Sequence, residues 1–175
     1  MKRSAKMWSG SRGGRITPGA YRKRDHDHFK RLFANAHVAA RSGFEEFIRK
    51  VMDADLPTAI GSLTQDEQAR TLIARARLDR FFKPEAVVLK SNVKRLKPAP
   101  DVFLETAKRM GIHPAEQLVF EDSPRGVRAA RDAGSRAIGM PVYEFPHVRN
   151  ELLAAGAEAV YLNWNSVPLY ELLRK

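Results

Sequence analysis

The sequence predicts an α/β fold, a Rossmann-like doubly wound parallel sheet. Three observations predict it. From Pro57 onward, short apolar runs alternate with stretches of helical periodicity, the pattern of strands joined by right-handed helical crossovers. Polar residues gather where the apolar runs stop, and open α/β sheets take their ligands at the carboxyl ends of their strands. The chain has 175 residues and no cysteine, which suits one domain with a substantial core and neither disulfides nor thiolate metal sites.

The elements follow in order. His28 to Ala40 shows a weak helical stripe of Phe29, Leu32, Phe33 and Ala36. Gly43 to Asp55 is a clearer helix, with Phe44, Phe47, Ile48 and Val51 spaced i, i+3, i+4, i+7 and acids ahead of bases. Residues 57–62 make a short strand ending in small residues, and Asp66 to Arg77 the next helix. Ala86 to Leu89 is an apolar strand. Pro100 opens a helix that Gly111 stops. Residues 117–121 form the central strand. Ser123 then caps a helix with Pro124 at its first position, where a missing N–H costs nothing. Arg136–Gly139 is a further strand, a helix runs from Pro146 to about Gly156, and Ala159–Leu162 and Val167–Leu173 supply the last strand and helix. The chain shows no internal repeat.

Net charge is +11, but it is unevenly spread. Residues 1–50 carry 13 Lys/Arg against 4 Asp/Glu, whereas residues 51–175 are close to neutral. Residues 1–24 hold no acid and four glycines, so residues 1–27 read as a basic tail with little structure of its own. Three accounts of it stay open: weak sequence-blind contact with RNA or anionic surfaces, organelle targeting, or no function. Specific nucleic-acid binding is not expected, because no aromatic-and-basic recognition motif accompanies the charge. No apolar run approaches the roughly 20 residues of a membrane span, and the default expectation is a cytoplasmic protein.

Three polar stations sit at strand ends. Ser62 offers a hydroxyl, with the Leu63 and Thr64 N–H groups beside it, as a phosphate cradle or simply as loop polarity. Lys97 lies between prolines in Arg95-Leu96-Lys97-Pro98-Ala99-Pro100-Asp101, either aimed inward by them or solvated. Glu121-Asp122 ends the central strand. Adjacent carboxylates repel, and a divalent cation held by oxygen ligands, magnesium (Mg2+) in kind, relieves this. Otherwise Glu121 is a loop acid and Asp122 a helix cap.

These three stations, with Lys97-Pro98-Ala99-Pro100-Asp101 and Glu121-Asp122-Ser123-Pro124-Arg125-Gly126 followed by Ala129-Ala130 and Ala133-Gly134, resemble the haloacid dehalogenase-like hydrolases. The similarity runs from about Arg41 to Lys175 and points to the β-phosphoglucomutase-like phosphatase and phosphomutase branch. It implies a HAD-like core over 43–175, a remnant of a helical cap domain over 28–42, and Mg2+-dependent hydrolysis or transfer of a small phosphate monoester, a phosphorylated sugar-like metabolite. It also implies roles. Ser62 and the Leu63 N–H bind the phosphoryl group, Lys97 neutralises its charge, and Glu121 and Asp122 position the metal. The Lys97–Pro98 bond becomes a candidate for the cis form.

One family feature is not matched. The resemblance calls for an apolar strand ending in Asp-x-Asp upstream of the cap, its first aspartate the nucleophile. Asp25-His26-Asp27 has the spacing but follows Tyr21-Arg22-Lys23-Arg24, which no buried strand tolerates. Asp53-Ala54-Asp55 ends a helix, and a metal cluster of His26 and His28 with the nearby acids is less expected than a polar helix start. The chain is thus expected to turn over poorly or not at all and to leave two inner strand edges unpaired, so that it is poorly stable, pairs with another copy or recruits a different segment; the other reading is a non-catalytic magnesium- and phosphate-binding or interaction module. Whether it is an enzyme, its substrate and its oligomeric state are left open by the sequence.

Overall fold

The computed structural model describes residues 37–174. The basic tail, Asp25, Asp27 and residues 28–36 of the expected cap remnant lie outside the described residues. Residues 37–40, where the expected helix should end, are irregular. The apolar stripe that suggested the helix stops at Ala36, and Val38 and Ala40 are half-buried without helical structure.

The elements are α1 (Phe44–Asp53), β1 (Ile60–Gly61), α2 (Asp66–Arg75), β2 (Val87–Val88), α3 (Asp101–Met110), β3 (Leu118–Glu121), α4 (Pro124–Asp132), β4 (Arg136–Gly139), α5 (Pro146–Ala154), β5 (Ala159–Val160) and α6 (Leu169–Leu173). The alternation expected from the sequence is present. Helix signals are placed to within a few residues: α1 buries Phe47, Ile48 and Val51, Gly111 ends α3 at φ 71°, and Ser123 caps α4 with Pro124 behind it. Strand β1 is shorter than the run at 57–62, because among the described residues only Ile60 and Gly61 are in register with β2.

The strands form two parallel sheets, β1–β2 and β3–β4–β5. Helix α3 shows that both run the same way. Its start follows Lys97, which reaches Glu121 at the end of β3. Its last turn carries Arg109, which donates to the Val87 carbonyl at the beginning of β2 (2.8 Å). Thr106, one turn earlier, meets Gln117 at the beginning of β3 (2.7 Å). The carboxyl ends of β2 and β3 therefore lie together.

Successive strand residues face opposite sides, as a pleated strand requires. Val88, Val119, Ala137 and Val160 join one apolar cluster with residues of α3, α4 and α5. Val87, Ile138 and Met140 join the other with α1, α2 and α6. Helices thus cover both faces, the doubly wound arrangement. Within the first layer, Thr106, Gln117 and Ser135 are buried but paired: the Gln117 amide donates to Ser135 Oγ (2.9 Å) and to the Phe103 carbonyl (3.2 Å). Such a network is tolerated inside because its polar atoms have partners.

Arg41 closes the carboxyl side. Its guanidinium donates to the carbonyls of Met140 (2.8 Å), Pro141 (3.0 Å) and Leu162 (2.5 Å), beyond the ends of β4 and β5. These carbonyls follow strand ends and have no backbone donor among the described residues, so one planar cation satisfies three acceptors. Arg41→Ala should lower the unfolding free energy by about 2–4 kcal/mol, the scale of losing several charge-assisted hydrogen bonds. Arg41→Lys should recover only part of it, as read by urea denaturation.

Candidate active site

The site is built around the Glu121 carboxylate. Glu121 ends β3 and is 7% exposed, a position where an unpaired charge would be strongly unfavourable. One oxygen pairs with the Lys97 ammonium. The other accepts from the Asp122 N–H (3.1 Å), the Ser123 N–H (3.3 Å) and the Ser123 hydroxyl (3.2 Å). Ser123 Oγ in turn accepts from the Gly126 N–H in the first turn of α4 (3.1 Å). The carboxylate thus sits against a helix amino terminus, where the backbone dipoles favour negative charge.

Gly126 makes this approach possible. A Cβ there would fall 2.1 Å from the Glu121 carboxyl carbon, so any side chain collides with the acid itself. The residue belongs to the block that carried the resemblance, and the geometry shows what it does.

Lys97 is delivered by the loop between β2 and α3, and its side chain is 17% exposed. Its ammonium also lies 4.8 Å from the centre of the Phe103 ring, a cation–π contact. The loop is tied at both ends. Asp101 takes the Arg95 N–H (3.1 Å) and the Arg95 guanidinium (2.7 and 3.0 Å). Arg125, from α4, donates to the Lys97 carbonyl. The Lys97–Pro98 peptide is cis, as the resemblance suggested.

Ser62 follows β1, its N–H bound to the Val88 carbonyl (2.9 Å). Its hydroxyl accepts a long bond from the Thr64 N–H (3.4 Å), so Thr64's donor turns toward Ser62. Leu63 packs its side chain on the first apolar cluster, and no described residue takes its N–H.

Among the residues expected from the sequence, Lys97 and Glu121 are brought into direct contact. Asp122 separates from its neighbour: it is exposed, and no described residue donates to its carboxylate. Asp53 and Asp55 stand exposed at the end of α1, away from any strand end. Arg95, Asp101 and Arg125 were missed as site-builders. The first two had a legible signal, opposite charges flanking the proline-bounded lysine. Arg125 had none, because its partner is a backbone carbonyl 28 residues away.

Magnesium calls for hard oxygen ligands and keeps several waters. Asp122 fits that demand with both oxygens open. Glu121 is occupied by Lys97 and its backbone donors. Among the described residues no third His, Asp or Glu joins them in a metal-binding group.

Comparison with known proteins places this geometry in context. Residues 16–140 match the haloacid dehalogenase-like hydrolase family. The chain is 32% identical over 143 residues to a phosphorylated carbohydrates phosphatase of Thermotoga maritima, covering 80% of this chain and 63% of that protein. It is 44% identical over 82 residues to the fructose-1-phosphate phosphatase YqaB of Escherichia coli K12, covering 47% of this chain and 43% of that protein. The chain therefore spans about half the length of these relatives. A HAD family hydrolase from Deinococcus radiodurans R1, solved with bound phosphate and sodium, superposes with a TM-score of 0.72 at 26% identity, over 85% of this chain and 65% of that one.

Two outcomes follow from the site's construction. Gly126→Ala should destabilise the chain by about 3 kcal/mol or more, because the Glu121 carboxylate must leave its donors to admit the methyl group. Thermal unfolding with Glu121→Gln as a comparison checks this. The Arg95 guanidinium holds the Asp101 carboxyl below the usual carboxylate range. The pair's contribution is then complete above pH ~4 and is lost as pH falls through the lowered value. NMR shifts of residues 95–101 should stay native below pH 4 and move only at still lower pH. Asp101→Asn should abolish that acid transition.

Proposed function

The chain belongs to the haloacid dehalogenase-like hydrolases, and we propose that its strand ends bind the phosphate of a small phosphorylated metabolite, sugar-phosphate in kind, for Mg2+-dependent phosphate monoester hydrolysis or transfer. The observation that carries this reading is the Lys97–Glu121 pair. A buried Glu121 needs a partner, but folding alone gives no reason to place a buried ion pair at a strand end and tie its loop down from two sides. A replacement by apolar side chains would pack as well at less desolvation cost. The relatives' substrates, a fructose 1-phosphate and phosphorylated carbohydrates, support the same substrate class.

The roles follow from chemistry. Lys97 would place its positive charge against the phosphoryl oxygens, where charge stabilisation counts most in phosphoryl transfer. Glu121 holds that ammonium in position. The Ser62 hydroxyl and the Leu63 N–H would donate to the same oxygens. Asp122 would hold Mg2+, with Glu121 behind it, and the bound ion screens the phosphate's charge from an attacking anion. The resemblance assigns the attack itself to a carboxylate of an Asp-x-Asp strand end. None of the described residues takes that role, so the described site accounts for binding, and turnover is read by its own assay. A binding-only module is the second reading, favoured by the full engagement of Glu121.

Calorimetric titration of inorganic phosphate, with and without Mg2+, tests the reading, alongside phosphate release from an aryl phosphate. Lys97→Met would strand the Glu121 charge, so it is made together with Glu121→Gln. The double variant should bind phosphate at least about tenfold more weakly, and Asp122→Asn should lose the Mg2+ dependence, on the scale of a lost metal contact. Unchanged phosphate affinity in the folded double variant would sink the proposal. Binding without release would select the second reading.

A further inference from the structure

The loop that follows β4 carries an exposed aromatic shelf. Met140 and Pro141 are buried, and then Val142, Tyr143 and Phe145 stand 58%, 70% and 52% exposed. The rings form a row. Tyr143 and Phe145 lie 6.2 Å apart, and His147, in the first turn of α5, stacks on Phe145 at 5.6 Å with 16° between the planes. Glu144, between the two rings in sequence, is exposed as well. Apolar side chains gathered on one exposed segment and rimmed by polar groups mark binding sites.

Both ends of the shelf are anchored. Arg41 donates to the Met140 and Pro141 carbonyls at its start. The Phe145 N–H donates to the Tyr143 carbonyl (3.1 Å), and the Phe145 carbonyl accepts from the Val148 (3.0 Å) and Arg149 (3.2 Å) N–H groups as α5 begins. A segment held in this way loses little freedom when a ligand arrives. Its place is beside the phosphate site. Gly139 is in register with Glu121, and the Met140 N–H donates to the Glu121 carbonyl (2.7 Å). Neighbouring strands lie about 4.8 Å apart, so the chain leaves β4 next to the point where Asp122 leaves β3. Tyr143 is three residues beyond Met140, at most about 10 Å of chain.

We propose that Tyr143 and Phe145 form the subsite for the carbon skeleton of the substrate, a sugar whose C–H face lies on the rings while its phosphate is held at Lys97. The face of an aromatic ring is negative and its counterpart here, a row of polarised C–H bonds, is positive at hydrogen. The sugar's hydroxyls need acceptors, which the Glu144 carboxylate and the His147 imidazole supply. The size fits too. Tyr143 and Phe145 leave roughly 250 Å² of side chain exposed between them, against the about 800 Å² that each partner buries in a stable protein interface. A small ligand covers that area, whereas a folded partner would need far more. The inference rests on the phosphate reading and assigns the part of the substrate which that reading leaves without a contact.

The test uses the full chain with Mg2+ present, beside a variant carrying Tyr143→Ser and Phe145→Ser, both on exposed side chains. Calorimetric titration compares inorganic phosphate, ethyl phosphate and fructose 1-phosphate. The unaltered chain should bind fructose 1-phosphate about tenfold more tightly than ethyl phosphate, the scale of two aromatic contacts. The variant should lose that advantage and bind inorganic phosphate as before. Saturating the chain's aromatic protons by NMR should transfer magnetisation to the C–H protons of bound fructose 1-phosphate. That transfer should fall away in the variant even at ligand concentrations that restore occupancy. An advantage that survives in the variant, or is absent from the unaltered chain, overturns the shelf and leaves the phosphate reading standing. No binding of any of the three ligands by a cooperatively folded chain overturns the phosphate reading, and the shelf with it. Sedimentation supplies the last outcome: self-association of the unaltered chain that the variant abolishes would give the shelf to a second copy and overturn the proposal.

Discussion

A carboxylate buried at the end of a strand has to be surrounded by donors, and that requirement at Glu121 organises the molecule's carboxyl side. It draws Lys97 down from one loop and the first turn of α4 up from another. It also excludes a side chain at position 126. A single charge therefore ties β3, α4 and the β2–α3 loop to one point. Breaking a buried pair from one side leaves an uncompensated ion, at about 3–5 kcal/mol. The loop's second attachments, Asp101 to Arg95 and Arg125 to the Lys97 carbonyl, hold the lysine's backbone as its charge is held.

The sheet is organised by a different force. Alternate strand residues feed two apolar layers, and each layer reaches both halves of the sheet. Helix α3 packs across β1, β2 and α4, so the halves keep a common direction without a ladder between them among the described residues. On the opposite face Phe47, Phe120 and Trp164 do the same through ring contacts. Side-chain packing can carry this because it is non-directional and scales with area, whereas a ladder needs matched donors and acceptors along an edge. The Lys97–Glu121 pair and the cavity between the sheets meet at Glu121, which forms half of the one and lines the other.

Much of this was legible in particular residues. Phe44, Phe47, Ile48 and Val51 announce α1 by spacing alone, and Ser123-Pro124 announces the start of α4 with its cap in place. Lys97 and Glu121 stood out as members of an ordered set, a hydroxyl, a lysine and an acid pair at successive strand ends that resembles the family's blocks, since each signal alone is weak. The expected helix does not extend through residues 37–40, which are irregular, since a weak stripe without a stop signal fixes no helix end. Arg41 shows the converse: no local pattern marks it, yet it satisfies three carbonyls about a hundred residues away.

The sequence by itself determined the alternation of strands and helices, the helix boundaries, the polar strand ends and the family resemblance, because each rests on spacing and backbone chemistry within about a dozen residues. The tertiary structure alone decided which of two adjacent acids is buried and paired, Glu121, and which stays exposed, Asp122. It alone showed that Arg125 holds the lysine loop. Those outcomes depend on which strand lies beside which and how deep each side chain sits. Long-range pairing and desolvation set both, and neither leaves a periodic mark on a one-dimensional chain.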